Sequence, residues 1–307
     1  MIQSQLAHLF PGFSSHRLKH GGADLFWLSA GRGPALMLLH GYPQTLAAWH
    51  AVAARLCDHF TLVLPDLRGY GRSLGPAADQ THEAYSKRQM ADDALAIMQA
   101  MGFSRFALAG HDRGARVAYR LALDHPLSVS HLIVLDIVPT IEMWDRMSMA
   151  GALRSYHWLL LAQPAPLPER LIGADPIYYL HHLLDRWKGR EASLDASAVA
   201  DYEASYARPS VIEACCEDYR AGATIDRLHD AQDREANRMI DCEVLVIWAE
   251  QYLSSQSPLA TWQRWAKQVR ELRLDCGHFI AEEKPAETAQ AIIQMFRASS
   301  SSGNESR

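Results

Sequence analysis

The first half of the chain alternates short, continuous apolar runs with stretches whose apolar residues recur at helical spacing. HRLKH and ADLFWLSAG, joined through Gly21-Gly22, predict the two strands of an opening hairpin. PALMLLHG predicts a buried strand ending in a glycine turn, and TLAAWHAVAARLC follows with helical periodicity. Then come TLVLPDLRG (strand), YSKRQMADDALAIMQAMG (helix), RFALAGHD (strand), RGARVAYRLALDHP (helix) and SHLIVLDIVP (strand). Uninterrupted Val/Leu/Ile runs separated by helices imply a parallel sheet covered on both faces.

The alternation stops at about Pro139. From there to about Arg238 the pattern is helical throughout, with no clear strand and with Trp, Tyr and His unusually frequent. It resumes with CEVLVIWAE (strand), PLATWQRWAKQ (helix), RELRLDCGH (strand) and KPAETAQAIIQMFRA (helix). An all-helical insertion between two strands of one sheet reads as a cap over the sheet's C-terminal edge. The expected organisation is a core of residues 1–138 and 239–299, a helical cap at 139–238, and a small, polar, disordered tail at 300–307.

Composition narrows this picture without redirecting it. The 307 residues are 49% hydrophobic and 21% charged, ordinary for a globular protein. A net charge of -5 argues against a nucleic-acid or anionic-membrane partner. No apolar run reaches the ~18–20 residues that span a bilayer. MIQSQLAHLFPGF lacks the basic and apolar regions of a secretory signal. The cysteines (Cys57, Cys215, Cys216, Cys242 and Cys276) are scattered, with no C-x-x-C pair. That pattern fits neither a disulfide framework nor a zinc site, and it suits the reducing cytoplasm. GYGRSLG (69–75) mimics a dinucleotide fingerprint, but its third glycine is one residue late and no helix start follows.

The chemistry concentrates in AGHDRGARVAY, residues 109–119. Gly110 and Gly114 have the G-x-Nu-x-G spacing of a nucleophile elbow, a strained strand-to-helix turn, with Asp112 in the nucleophile position. An aspartate capping the next helix would look the same in isolation. His278, in DCGHFIAEEKPAE, lies just after the last predicted strand, where an α/β-hydrolase carries its catalytic histidine. The acid that orients it would usually follow the penultimate strand, yet AEQYLSSQSPLA offers only Glu250. Asp136, which ends the apolar run LIVL within LIVLDIVP, is the better candidate. In LLHGYPQT the His-Gly turn after the third strand offers a backbone donor, so the N–H groups of Tyr42 and Arg113 are the expected oxyanion hole. No motif calls for a cofactor or a metal.

HGYPQT, DLRGYGRS, GHDRGARVAYR and GHFIAEEKP together resemble the haloacid-type α/β-hydrolases, specifically the fluoroacetate dehalogenases. SYHWLLLAQPAPLPERLIGADP and CCEDYRAGATIDRLHD in the cap are similar to the same group, and the resemblance runs from about Phe10 to about Ala298. It implies an α/β-hydrolase fold and an Asp112–His278–Asp136 catalytic set. It also implies a halide pocket of His157, Trp158 and Tyr219, a small 2-halo carboxylate substrate and a homodimer. Three residues depart from the family pattern: Tyr42 stands where Phe is common, Glu243 where Pro is usual and Ala249 where Gly is usual. Tyr42 could alter the size or polarity of the pocket.

The residue types suit that reaction. A carboxylate is already ionised near neutral pH. Asp112 can therefore attack a saturated carbon, leaving His278 to activate the water that cleaves the resulting ester. A carboxylate substrate would be repelled by roughly 4 kcal/mol at ~4 Å and an effective dielectric near 20. Arg113 and Arg116, on the first turn after Asp112, are placed to offset that repulsion and to fix the substrate carboxylate. Fluoride leaves poorly and needs convergent donors, which His157, Trp158 and Tyr219 possess. An epoxide hydrolase shares the Asp nucleophile and the His base but has no need of two arginines. A ligand receptor on this fold would have no need of the intact catalytic set.

Overall fold

The computed structural model of the protein describes residues 2–252 and 256–302. The strands are β1 (Ser14–His20), β2 (Ala23–Gly31), β3 (Ala35–Leu39), β4 (Thr61–Pro65), β5 (Phe106–His111), β6 (Val129–Leu135), β7 (Ile240–Ala249) and β8 (Ala266–Leu274). They form one sheet in the order β1-β2-β4-β3-β5-β6-β7-β8. The β1–β2 and β2–β4 pairs are antiparallel, and the rest of the sheet is parallel. β3, β5 and the last four residues of β6 are buried on both faces, which is why they read as unbroken apolar runs.

In chain order the helices of the first half are α1 (Ile2–Leu9), α2 (His50–Leu56), α3 (Lys87–Ala100) and α4 (Arg113–Asp124). Between β6 and β7 lie α5 (Thr140–Asp145), α6 (Met149–Arg154), α7 (Tyr156–Leu161), α8 (Leu167–Gly173), α9 (Pro176–Trp187), α10 (Ala196–Tyr206), α11 (Pro209–Ala223) and α12 (Ile225–Glu235). The chain closes with α13 (Leu259–Trp262), α14 (Ile280–Glu283) and α15 (Pro285–Ser302). Buried polar contacts tie the α5–α12 segment to the sheet-bearing part. Tyr42 and Tyr206 share a hydroxyl hydrogen bond of 2.6 Å, Tyr70 Oη donates to Asp218 at 2.7 Å, and Tyr119 Oη donates to Asp230 at 2.9 Å.

Three local expectations differ from the structure. PLATWQRWAKQ forms a single turn, α13, and Ala266 already begins β8. Its apolar spacing serves packing instead, because Trp262 and Trp265 are buried against the core. α1 precedes the first strand, where the sequence pattern predicts no helix. α15 continues past Ala298 to Ser302, and residues 303–307 of the expected tail lie outside the described residues.

The glycines of GYGRSLG have a purely structural reason. A Cβ on Gly71 would fall 2.0 Å from the Asp66 carboxylate carbon, and that carboxylate accepts the backbone N–H groups of Leu46 and Arg72 at 2.9 and 2.7 Å. The loop winds around one buried anion rather than around a dinucleotide. All five cysteines are unpaired.

Candidate functional site

Parallel register brings the two aspartates together. His111 pairs with Leu135 at the ends of β5 and β6, so the next residues, Asp112 and Asp136, leave the sheet side by side. Both have positive φ, +47° and +58°. For Asp112 this is the strained turn that the flanking glycines permit. A Cβ on Gly110 would sit 2.6 Å from the Ala115 backbone, and one on Gly114 would sit 2.3 Å from the His40 carbonyl. The helix that carries Arg113 and Arg116 is thereby packed directly against the ends of β3 and β5.

His278 follows β8. Its backbone N–H donates to the Trp187 carbonyl at 2.8 Å, and its carbonyl lies 2.8 Å from His111 Nε2. Its Nδ1 is 2.6 Å from Asp136 Oδ2, and its Nε2 is 3.8 Å from Asp112 Oδ2. Asp136 Oδ1 accepts the Ala249 N–H at 2.9 Å, a backbone contact that alanine serves as well as glycine would. Glu250, just after the penultimate strand, is half-exposed and faces Arg273 at 3.5 Å.

Asp112 is divided between two environments. Oδ1 accepts the Tyr42 backbone N–H at 3.0 Å, while Oδ2 faces His278. Burial works against ionisation of Asp112, but His278, His111, Arg113 and Arg116 outweigh it and hold the carboxyl below its usual range. Burial raises Asp136, opposed by its hydrogen bond to His278. The arrangement supplies an ionised carboxylate with one oxygen held by a backbone donor, beside an imidazole whose other nitrogen is held by an acid.

The two arginines are not equivalent. Arg113 is fully buried and bound to Asp218 of α11: Nε donates to Oδ2 at 3.1 Å, and Nη2 donates to the Asp218 carbonyl at 2.7 Å and to Oδ1. Asp218 also accepts Tyr70 Oη and Lys87 Nζ. Only Nη1 of Arg113 lacks a partner among the described residues. Arg116 Nη1 donates to the Val138 carbonyl at 3.0 Å and to Thr140 Oγ1 at 3.2 Å, with no carboxylate within 4.0 Å among the described residues. Burial and the Arg113 charge lower its affinity for the proton.

His157 and Trp158 of α7 meet Tyr219 of α11, each with ring centroids 5.7 Å apart in edge-to-face contact. Arg113 lies 4.2 Å above the Tyr219 ring, and Arg116 lies 4.6 Å above the Trp158 ring. Two buried polar atoms in this cluster, His157 Nδ1 and Tyr219 Oη, have no hydrogen-bond partner among the described residues. Such atoms are costly unless a ligand satisfies them. Burial holds His157 neutral, its pKa lowered to about 3, and keeps the Tyr219 hydroxyl protonated. The Tyr42 hydroxyl is turned away to Tyr206, so the tyrosine's extra polarity is absorbed there.

A cavity of about 270 Å³ opens onto part of this set. Asp112, Asp136, His278, Arg116, His157 and Trp158 line it, together with Tyr252, whose ring lies 4.2 Å from His278. Arg113, Tyr219 and Tyr42 are not on its wall. Sequence reasoning missed Tyr252, Lys87 and Asp218. Nothing in CCEDYR separates Asp218, which holds Arg113, from Glu217, which pairs with Arg220.

The family model for the alpha/beta hydrolase fold matches residues 34–285. The chain belongs to the α/β-hydrolase family. It is 40% identical over 299 residues to the fluoroacetate dehalogenase of a Burkholderia species, covering 96% of this chain and 97% of that one. It is 28% identical to the soluble epoxide hydrolase of Corynebacterium sp. (strain C12), covering 92% and 96%. An α/β-hydrolase-fold structure from Nostoc sp. PCC 7120 superposes with a TM-score of 0.88 at 46% identity, covering 92% of this chain and 97% of that one. The protein is thus a hydrolase of this fold, with relatives of two chemistries. Among the described residues no helix is long and apolar enough to cross a membrane, and no group of metal-binding side chains occurs.

Proposed function

We propose that the protein is a hydrolytic haloacetate dehalogenase of the fluoroacetate type, working through an ester on Asp112. The observation that carries this reading is Arg116: a buried guanidinium with no carboxylate within 4.0 Å among the described residues, on the wall of the cavity that holds Asp112. An anionic substrate supplies its missing counter-ion; an uncharged epoxide does not.

In this reading the substrate carboxylate binds Arg116 and the free Nη1 of Arg113, which turns the halogen-bearing carbon toward Asp112 Oδ2. Oδ2 attacks, the carbon–halogen bond breaks, and the halide departs toward donors on His157, Trp158 and Tyr219. His278 Nε2 then takes a proton from water, which attacks the Asp112 side-chain carbon. The charge formed on Oδ1 falls where the Tyr42 N–H already points. Asp136 holds the imidazole and stabilises its protonated form. The α5–α12 segment acts as a cap that supplies the halide donors, and the small-molecule reaction uses no cofactor.

The test is incubation with fluoroacetate, chloroacetate and styrene oxide, measuring halide and diol. Halide release with glycolate is expected. Diol formation without halide release would replace this reading with that of an epoxide hydrolase.

A further inference from the structure

We propose that Arg146 and Arg154 form a second anion subsite at the cavity mouth, and that 2-halo dicarboxylic acids are therefore among the substrates. The inference deepens the dehalogenase reading and rests on it.

The cavity is lined by residues that range from buried to exposed. Buried Asp112 and Arg116, the apolar Ile137, Val138, Met143 and Met147, and the exposed Arg146 and Arg154 all face it, and the exposed pair marks its mouth. Arg146 is steadied by Thr261 Oγ1, 2.5 Å from its Nη2, and by Glu142 at 3.5 Å. Glu142 is shared with Arg264, whose Nη2 donates to it at 2.6 Å, so one carboxylate faces two guanidiniums and positive charge is left over. Arg154 has no carboxylate within 4.0 Å among the described residues and is exposed. Arg186 of α9 adds a third cation nearby, donating to the Leu153 carbonyl at 3.3 Å. Among the described residues the acids that line the cavity are Asp112 and Asp136, both buried.

Size points the same way. The cavity offers about 270 Å³, well above the roughly 10–15 Å³ in which one water can sit, and a haloacetate has only five heavy atoms. A longer acid can lay its methylenes along the two methionines, which adapt to irregular shapes, and present its distal carboxylate to the mouth arginines. The chemistry is unchanged. The C2–halogen bond breaks as the Asp112 oxygen bonds to C2, the halide leaves with the electron pair, and water cleaves the ester. A 2-hydroxy dicarboxylate, halide and a proton result.

The experiment compares acids of matched skeleton that differ at the far end: 2-bromosuccinate with 2-bromobutanoate, 2-bromoglutarate with 2-bromopentanoate, and 2-bromoadipate with 2-bromohexanoate. The readout is the ratio of kcat/KM within each pair, from bromide release, in the wild type and in Arg146→Gln/Arg154→Gln. For at least one length the wild-type ratio should favour the dicarboxylate, and the double variant should lower that ratio by about tenfold, about three- to fivefold per guanidinium. Calorimetric titration with glutarate and pentanoate reads the subsite separately from the chemistry. Tighter glutarate binding that the double variant abolishes supports the subsite even if no bromide is released, an outcome that would instead remove the dehalogenase reading. Ratios at or below one for every length, or ratios unchanged in the double variant, overturn the proposal.

Discussion

Asp218 grips Arg113 from the side and from behind: the carboxylate takes Nε at 3.1 Å and the main-chain oxygen takes Nη2 at 2.7 Å, leaving Nη1 without a partner among the described residues. Arg113 is therefore a pre-positioned donor whose charge is already answered, whereas Arg116 keeps its charge for a ligand. Asp218→Asn keeps the shape but removes the anion that Arg113, Lys87 and Tyr70 share. The expected outcome is a rise of about tenfold or more in KM for haloacetates, because Arg113 loses its fixed orientation, with kcat reduced less. Steady-state kinetics on fluoroacetate and chloroacetate check this. An unchanged KM with lowered thermal stability would leave Asp218 a purely structural residue.

A second expectation follows from the unequal oxygens of Asp112. In His278→Asn the Oδ2 attack remains possible while water goes unactivated, so the ester should accumulate. Mass spectrometry of the protein after exposure to chloroacetate should show a carboxymethyl adduct on Asp112. If no adduct forms in a variant that is folded, while the wild type releases halide, the two-step route is wrong.

Tyr219 offers the cleanest probe of leaving-group assistance. Its buried hydroxyl has no partner among the described residues, so Tyr219→Phe should cost little stability. Loss of one donor to departing fluoride should slow fluoroacetate turnover by about 100- to 1,000-fold, by analogy with oxyanion-hole donors. Chloride needs less help, so chloroacetate should suffer less. Equal losses for both halides would mean that the hydroxyl does not meet the halogen.

The pH dependence of the first turnover should distinguish the two half-reactions. Asp112 is held below its ordinary range, so its nucleophilic form persists as pH falls toward that of a normal carboxylic acid. By the same linkage, the ionised form contributes to stability above the unfolded-state value and loses that contribution as pH falls through the lowered one. Rapid-quench measurement of halide release in the first turnover should stay flat from about pH 8 to about pH 5. A tenfold fall by about pH 5 would show that Asp112 titrates there.

Much of the fold was legible in the sequence because burial on both faces of a parallel sheet leaves a local mark. ALMLL, FALAGH and LIVL could be strands only at the centre of such a sheet, and the glycines around Asp112 announced a turn that side chains would block. The order of Asp112, Asp136 and His278 after β5, β6 and β8 is likewise a property of the chain. Adjacency was not legible. That Asp136 meets His278 at 2.6 Å depends on β6, β7 and β8 pairing in one register. The helical periodicity of PLATWQRWAKQ misled because Trp262 and Trp265 pack into the core from one turn and a strand, not from one long helix. Above all, the sequence presents Arg113 and Arg116 as twins, three residues apart on one helix face. Only the tertiary structure decides which arginine is neutralised within the protein and which is left for an anion from outside: it buries the Asp218 carboxylate against Arg113, while among the described residues no carboxylate comes within 4.0 Å of Arg116.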